Sequence, residues 1–104
     1  MDDILTALDE VLAARKQASA EDSYVASLNA AGLNKILEKV GEETTEVILA
    51  AKDSVETGNT DALTHEVADL WFHLMVMLRH LDIDHTTVLQ VLDERMGLSG
   101  LAEK

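Results

Sequence analysis

Glu66-Val67-Ala68-Asp69-Leu70-Trp71-Phe72-His73-Leu74-Met75-Val76-Met77-Leu78 decides how this chain is read. The stretch is so apolar that a helix carrying it is expected to be largely buried. A carboxylate placed there cannot simply point at water. An unpaired buried charge is very costly, so Glu66 and Asp69 demand a cation. A second acidic cluster, Glu42-Glu43-Thr44-Thr45-Glu46, runs directly into Val47-Ile48-Leu49-Ala50-Ala51. The two clusters together read as a metal site.

Working outward, the rest of the sequence is helical in character. Proline is absent, glycine is rare, and Tyr24, Trp71 and Phe72 are the only aromatics. Ala, Leu, Glu and Lys abound, and no useful length alternates apolar with polar residues. An all-α fold of about five helices is expected, as a single domain over 1–104. The first helix runs from about Asp3 to Gln17, with Ile4, Leu5, Leu8, Val11 and Leu12 on one stripe. A short helix follows from Tyr24 to Ala30, capped by Ser23. Gly32 interrupts, and a long helix runs from about Leu33 to Val55 with Gly41 inside it. Gly58 resembles a stop signal. Asn59 or Thr60 can cap a helix from Asp61 to Leu81, and Asp84 can cap a last one ending near Gly97. The tail from Leu98 to Lys104 is expected to be loose or docked on a neighbour.

Bulk properties narrow the function. A chain of 104 residues, 47% of them apolar, supports a modest core that a partner subunit would help to complete. With no cysteine, disulfides and zinc–thiolate sites are excluded. No apolar run is long enough to span a bilayer, and the acidic start is unlike a signal peptide. A soluble cytoplasmic protein is expected. The net charge of −12 disfavours nucleic-acid phosphates and anionic membranes. It still permits a small phosphorylated ligand, because Mg²⁺ commonly bridges carboxylates to phosphates.

Residues three or four apart share a helix face. Glu42, Glu43 and Glu46 meet that spacing on one helix, and Glu66 and Asp69 on the next. If these helices pack antiparallel, the carboxylates can surround one or two Mg²⁺ ions. A solvated face is the bland alternative for the first cluster. Lys35 and Lys39 lie one turn apart, upstream of Glu43. A Lys39–Glu43 ion pair and a grip on phosphate oxygens beside a metal are both open readings. Arg95 is a further phosphate candidate. His73 is open to three readings, a ligand, an acid–base group or a hydrogen-bonded core residue, of which the last is the commonest for a lone histidine on a buried helix. His65, His80 and His85 read as surface residues. Trp71, Phe72, Met75 and Met77 read as core or subunit-interface packing. No Glu-x-x-His pair, EF-hand loop, P-loop or His-Glu-x-x-His occurs.

The pattern Glu42-Glu43-x-x-Glu46 followed by Glu66-x-x-Asp69 resembles the signature of the all-α, MazG-like nucleotide pyrophosphohydrolases. Lys35-Ile36-x-x-Lys39-Val40-Gly41-Glu42-Glu43, Ser23-Tyr24-Val25-Ala26-x-Leu28 and Ala68-Asp69-Leu70-x-x-His73-Leu74 make the chain most similar to the phosphoribosyl-ATP pyrophosphatases of histidine biosynthesis. The ending Arg95-x-Gly97-x-Ser99-Gly100-x-x-Glu103-Lys104 also fits. Thr44 stands where Ala is common, and Trp71 replaces an aliphatic residue. The resemblance implies hydrolysis of phosphoribosyl-ATP to phosphoribosyl-AMP and pyrophosphate, Mg²⁺ dependence and a homodimer whose helices form a bundle.

The mechanism expected from these residues is metal-assisted attack of water on the α–β phosphoanhydride. Glu42, Glu43, Glu46, Glu66 and Asp69 hold the ions. Glu43 or Glu46 is the general base. Lys35 and Lys39 steady phosphate oxygens, with help from Arg95. Two competing readings are a house-cleaning pyrophosphatase acting on free nucleoside triphosphates and a non-catalytic acidic helical adaptor.

Overall fold

The computed structural model describes residues 3–97, which form five α-helices with no strand among them. They are α1 (Ile4–Arg15), α2 (Tyr24–Ala31), α3 (Leu33–Thr57), α4 (Asp61–His80) and α5 (His85–Gly97). The all-α expectation holds. Its helix ends lie where local chemistry sets them. Ser23 Oγ accepts from the Ala26 amide at 3.2 Å and closes the first turn of α2. Gly58, at φ 73°, ends α3 by donating its amide to the Ser54 carbonyl. That left-handed geometry favours glycine. Asp84 Oδ1 accepts from the Thr86 amide at 2.9 Å as α5 begins. At α4 the detail differs between the two expected caps. The Thr60 side chain makes no capping bond, and Asn59 Oδ1 takes the Asp61 amide at 2.9 Å. The expected tail from Leu98 to Lys104 lies outside the described residues.

The core gathers Leu12 of α1, Val25 and Leu28 of α2, Ile36 of α3, and Met75 and Val76 of α4. Leu5, Leu8, Phe72, Met77 and Leu78 pack around it. Full burial of such side chains contributes roughly 1.5–3 kcal/mol each. These residues come from the start of α3 and the end of α4, so the core lies at one end of the α3–α4 pair. Those two helices, joined by the short 58–60 turn, make the most extensive helix–helix interface. Beyond the core they continue as a two-helix arm. No helix among the described residues is long and apolar enough to cross a membrane.

Three expectations about burial are corrected. In the Leu70–Leu78 stretch only His73, Met75 and Val76 are buried, and Trp71 is 58% exposed. The reason is that α4 has α3 along one side and α1 near its end, which leaves a further face open. Similarly, the α1 stripe splits. Leu5, Leu8 and Leu12 pack inward, while Ile4 and Val11 are exposed. Among the histidines read as surface residues, only His65 is exposed. His80 is half-buried and its Nδ1 lies 2.8 Å from Asn29 Oδ1. His85 is buried against α1, where its Nε2 is 3.4 Å from Thr6 Oγ1.

One ion pair ties the chain's first helix to the end of α4. Arg79 donates through Nε to Asp9 Oδ1 at 2.9 Å and through Nη2 to Asp9 Oδ2 at 2.6 Å. Two parallel bonds of this kind are among the stronger polar contacts in proteins. They hold the Arg79 guanidinium above its ordinary range, chiefly through the hydrogen bond to Asp9. Lys16 adds a bond to the Arg79 carbonyl at 3.4 Å.

Candidate active site

The acidic clusters meet where α3 and α4 leave the cover of the core. Glu43 of α3 and Glu66 and Asp69 of α4 bring one carboxylate oxygen each within 4.8 Å of one another. Glu43 and Glu66 are half-buried and Asp69 is exposed. The expectation that Asp69 is withdrawn from water is therefore corrected. The open face of α4 described above exposes it. What sets this group apart is crowding rather than depth. The Glu66 carboxyl is pushed above the ordinary range, first by desolvation, then by the charges of Glu46, Glu43 and Asp69. A hydrogen bond between the Glu66 and Glu46 carboxyl groups acts in the same direction. Like charges brought this close favour a proton or a cation among them.

The other expected ligands divide. Glu46 is exposed and stands beside Glu66, outside the three-oxygen group. Glu42 turns away to Lys39, whose Nζ lies 3.5 Å from its Oε1. The ion pair considered for Lys39 with Glu43 is thus made with Glu42, three residues away rather than four. Lys35 pairs along the helix with Glu38 at 3.4 Å. Arg95 is exposed in the last turn of α5.

The donor set fits a hard cation. Three carboxylate oxygens on two helices leave room for water and substrate oxygens, which Mg²⁺ retains in its octahedral shell. No soft ligand is available, since the sequence has no cysteine. From Glu46 and Glu66 an open groove of ≈ 700 Å³ runs toward the turn between Leu49, Ala50 and Asp53 on one wall and Ala62 and His65 on the other. It offers a mainly apolar trough beside the charged centre.

Two arrangements escaped the sequence reading. Tyr24 enters there as the start of a helix and as part of the Ser23–Leu28 motif, with no partner assigned, yet its hydroxyl lies 2.9 Å from His73 Nε2. His73 Nδ1 in turn lies 2.8 Å from the Asp69 carbonyl. His73 is the hydrogen-bonded core residue that the sequence suggests. The Lys39 ammonium is held above its ordinary range, chiefly by the electrostatic influence of Tyr24, against partial desolvation and with help from Glu42 and then Glu43. The second arrangement is the Asp9–Arg79 pair. Its signal is an acid one turn beyond Leu5 on the packed side of α1, and a base ending an apolar helix.

Comparison with known proteins agrees over nearly the whole chain. A family model described as Phosphoribosyl-ATP pyrophosphohydrolase matches residues 5–96. A curated phosphoribosyl-ATP pyrophosphatase from Hydrogenovibrio crunogenus is 55% identical over 102 residues, which is 98% of this chain and 90% of that protein.

Proposed function

Because the chain belongs to the phosphoribosyl-ATP pyrophosphohydrolase family, we propose that it hydrolyses phosphoribosyl-ATP to phosphoribosyl-AMP and pyrophosphate, a Mg²⁺-dependent step in histidine biosynthesis. The observation that carries this reading is the convergence of Glu43, Glu66 and Asp69 to within 4.8 Å from two different helices. Glu43, Glu66 and Asp69 hold Mg²⁺. Bound there, the ion offsets charge developing on the departing pyrophosphate and makes a nearby water more acidic.

The chain's own groups do the rest. Glu46 stands next to Glu66 but outside the group of three, so it is the carboxylate left to take a proton from the attacking water. Lys39, paired with Glu42 rather than with the cluster, carries its charge beside the carboxylates and binds phosphate oxygens. Lys35 and Arg95 extend that grip along the phosphate chain. The groove between α3 and α4 receives the apolar part of the substrate.

The acting unit is a homodimer. Ile48, Leu49, Val55 and Trp71 on the arm, and Val88, Leu89, Leu92 and Met96 on α5, are large apolar side chains exposed in one chain. Covering side chains of this size removes apolar surface from water and so favours association. The second copy covers it.

The test is product identification. Purified protein is given phosphoribosyl-ATP, ATP, dUTP and dCTP, with and without Mg²⁺, and pyrophosphate is measured. The expected result is Mg²⁺-dependent release from phosphoribosyl-ATP far faster than from the others. Comparable release from the free triphosphates would replace this reading with the house-cleaning one. No release from any, and no effect of Mg²⁺ on thermal stability, would leave a helical adaptor.

A further inference from the structure

One wall of the groove that leaves the carboxylate centre is a single face of α3. Glu46, Leu49, Ala50, Asp53 and Ser54 recur along it at intervals of three and four residues. Glu46 stands beside the carboxylate group of three, and Asp53 follows seven residues later. That separation is about 10.5 Å along the helix axis. It matches the reach of a nucleotide from its α-phosphate to the far edge of its base. Between the two acids the lining is Leu49 and Ala50, with Ala62 on the α4 wall. Alanine on both walls leaves an apolar slot that suits a flat ring.

Two polar groups meet that ring's far edge. Ser54 Oγ donates its proton to the Ala51 carbonyl at 2.8 Å, so only its lone pairs remain to be used. The Asp53 carboxylate has no hydrogen-bond or ion-pair partner among the described residues. Both groups accept and neither donates.

An unpaired carboxylate at the end of an apolar slot discriminates by charge. A neutral ring takes water from Asp53 and gives no partner in return. A cationic ring bearing N–H groups pairs with it. Phosphoribosyl-ATP and ATP differ in this respect. The second ribose is attached at N1 of the adenine, and substitution there turns N1, C6 and the exocyclic nitrogen into an amidinium. That group is positively charged at neutral pH and carries two N–H bonds, whereas the adenine of ATP is neutral.

Resting on the functional reading given above, we propose that Asp53 is the residue that separates phosphoribosyl-ATP from ATP: with the phosphates at the metal centre, the adenine lies in the slot and its cationic edge pairs with the Asp53 carboxylate. Ser54 Oγ accepts the second N–H. The groove is open, so the ribose on N1 and its phosphate extend into water. Asp53 thereby attracts the substrate and opposes its neutral competitor.

Three small nucleotides test this by calorimetry at saturating Mg²⁺: AMP, N1-methyl-AMP and N1-methyl-IMP. The last has the same methyl group on an uncharged ring. Wild-type protein should bind N1-methyl-AMP about tenfold more tightly than either of the others, the worth of a charge-assisted hydrogen bond. Asp53→Asn keeps the shape and removes the charge. It should level the three affinities, leave AMP binding no weaker, and raise KM for phosphoribosyl-ATP about tenfold with kcat retained. Equal loss of all three ligands in Asp53→Asn would overturn the proposal and make Asp53 a residue of the fold. N1-methyl-IMP binding as tightly as N1-methyl-AMP would also overturn it, since shape would then decide; this comparison needs no variant. Pyrophosphate release from phosphoribosyl-ATP by a protein that binds the three equally overturns the role of Asp53 alone. The tenfold preference in a protein that leaves phosphoribosyl-ATP intact upholds the cation subsite and overturns the substrate assignment.

Discussion

The two ends of the α3–α4 pair live under different physics. At one end Ile36 and Val76 are 0% and 1% exposed, with α1 and α2 packed over them. At the other, Leu49 and Val55 on the same α3 are 55% and 85% exposed. Both ends carry the periodic apolar residues of a helix that packs. Only one has its cover within the chain. The carboxylates sit at the boundary, so they are crowded without being deeply buried. Stability therefore belongs to the closed end and chemistry to the open one.

Exchanging those roles by mutation is the sharpest way to break the comparison. On the open side, Glu46→Gln should reduce pyrophosphate release by about 10²–10⁴-fold, the range for a lost general base. Its chemical denaturation midpoint should not fall. At the closed end, Ile36→Ala should lower unfolding free energy by about 2–5 kcal/mol, as for other large core truncations. That value would be read from urea denaturation. If Glu46→Gln unfolds the chain, or Ile36→Ala leaves it unchanged, the division is wrong.

Next in size is Asp9→Ala. It leaves the Arg79 guanidinium without its two-bond partner and should cost about 1.5–3 kcal/mol. The loss should appear in stability with metal affinity unaltered, because the pair sits among α1 and α4 of the closed end.

The pH dependence of the metal-free protein sharpens the contrast further. Glu66 titrates above its ordinary range in the folded chain. A carboxylate shifted upward favours folding while protonated, so its contribution is complete below the ordinary glutamate value, about 4.3. The contribution is lost as pH rises through the raised value. Thermal midpoints without metal should therefore carry a decline over that interval, which Glu66→Gln removes. Mg²⁺ at neutral pH should restore the midpoint in wild type and not in the variant. The smallest expected effect is that of Gly41→Ala. A Cβ there meets nothing within 4 Å in one chain, and the helix should gain about 0.5–1 kcal/mol. A loss instead would place a second copy against that turn of α3.

Much of this was readable in the sequence because it is local. Ser23 and Asp84 start helices and Gly58 ends one by chemistry contained in one turn, and five helices follow. The carboxylate spacing on each helix is equally local. What could not be read depends on which surface a helix finds covered. Nothing near Trp71 says that its side of α4 lacks a neighbour, so the stretch looks uniformly buried. The acidic pattern rightly draws attention to a site, but the reason is crowding at a margin and not depth. Lys39 has Glu42 and Glu43 both within a turn, and only the fold decides between them. Tyr24 and His73 are distant in sequence, and so are Asp9 and Arg79. Those links come from how α1 and α2 lie on the longer pair.

All three gathered oxygen donors belong to one continuous hairpin, Glu43 through the Gly58 turn to Asp69. Such a segment is a self-contained cassette. It can be exchanged between two copies, or passed to a new scaffold, without scattering the donors it carries. The start of α3, where Lys39 stands, has no such independence, since Ile36 there is packed in a core shared with α1 and α2. Cation binding should thus survive rearrangements of the surrounding helices that erase the grip on the substrate.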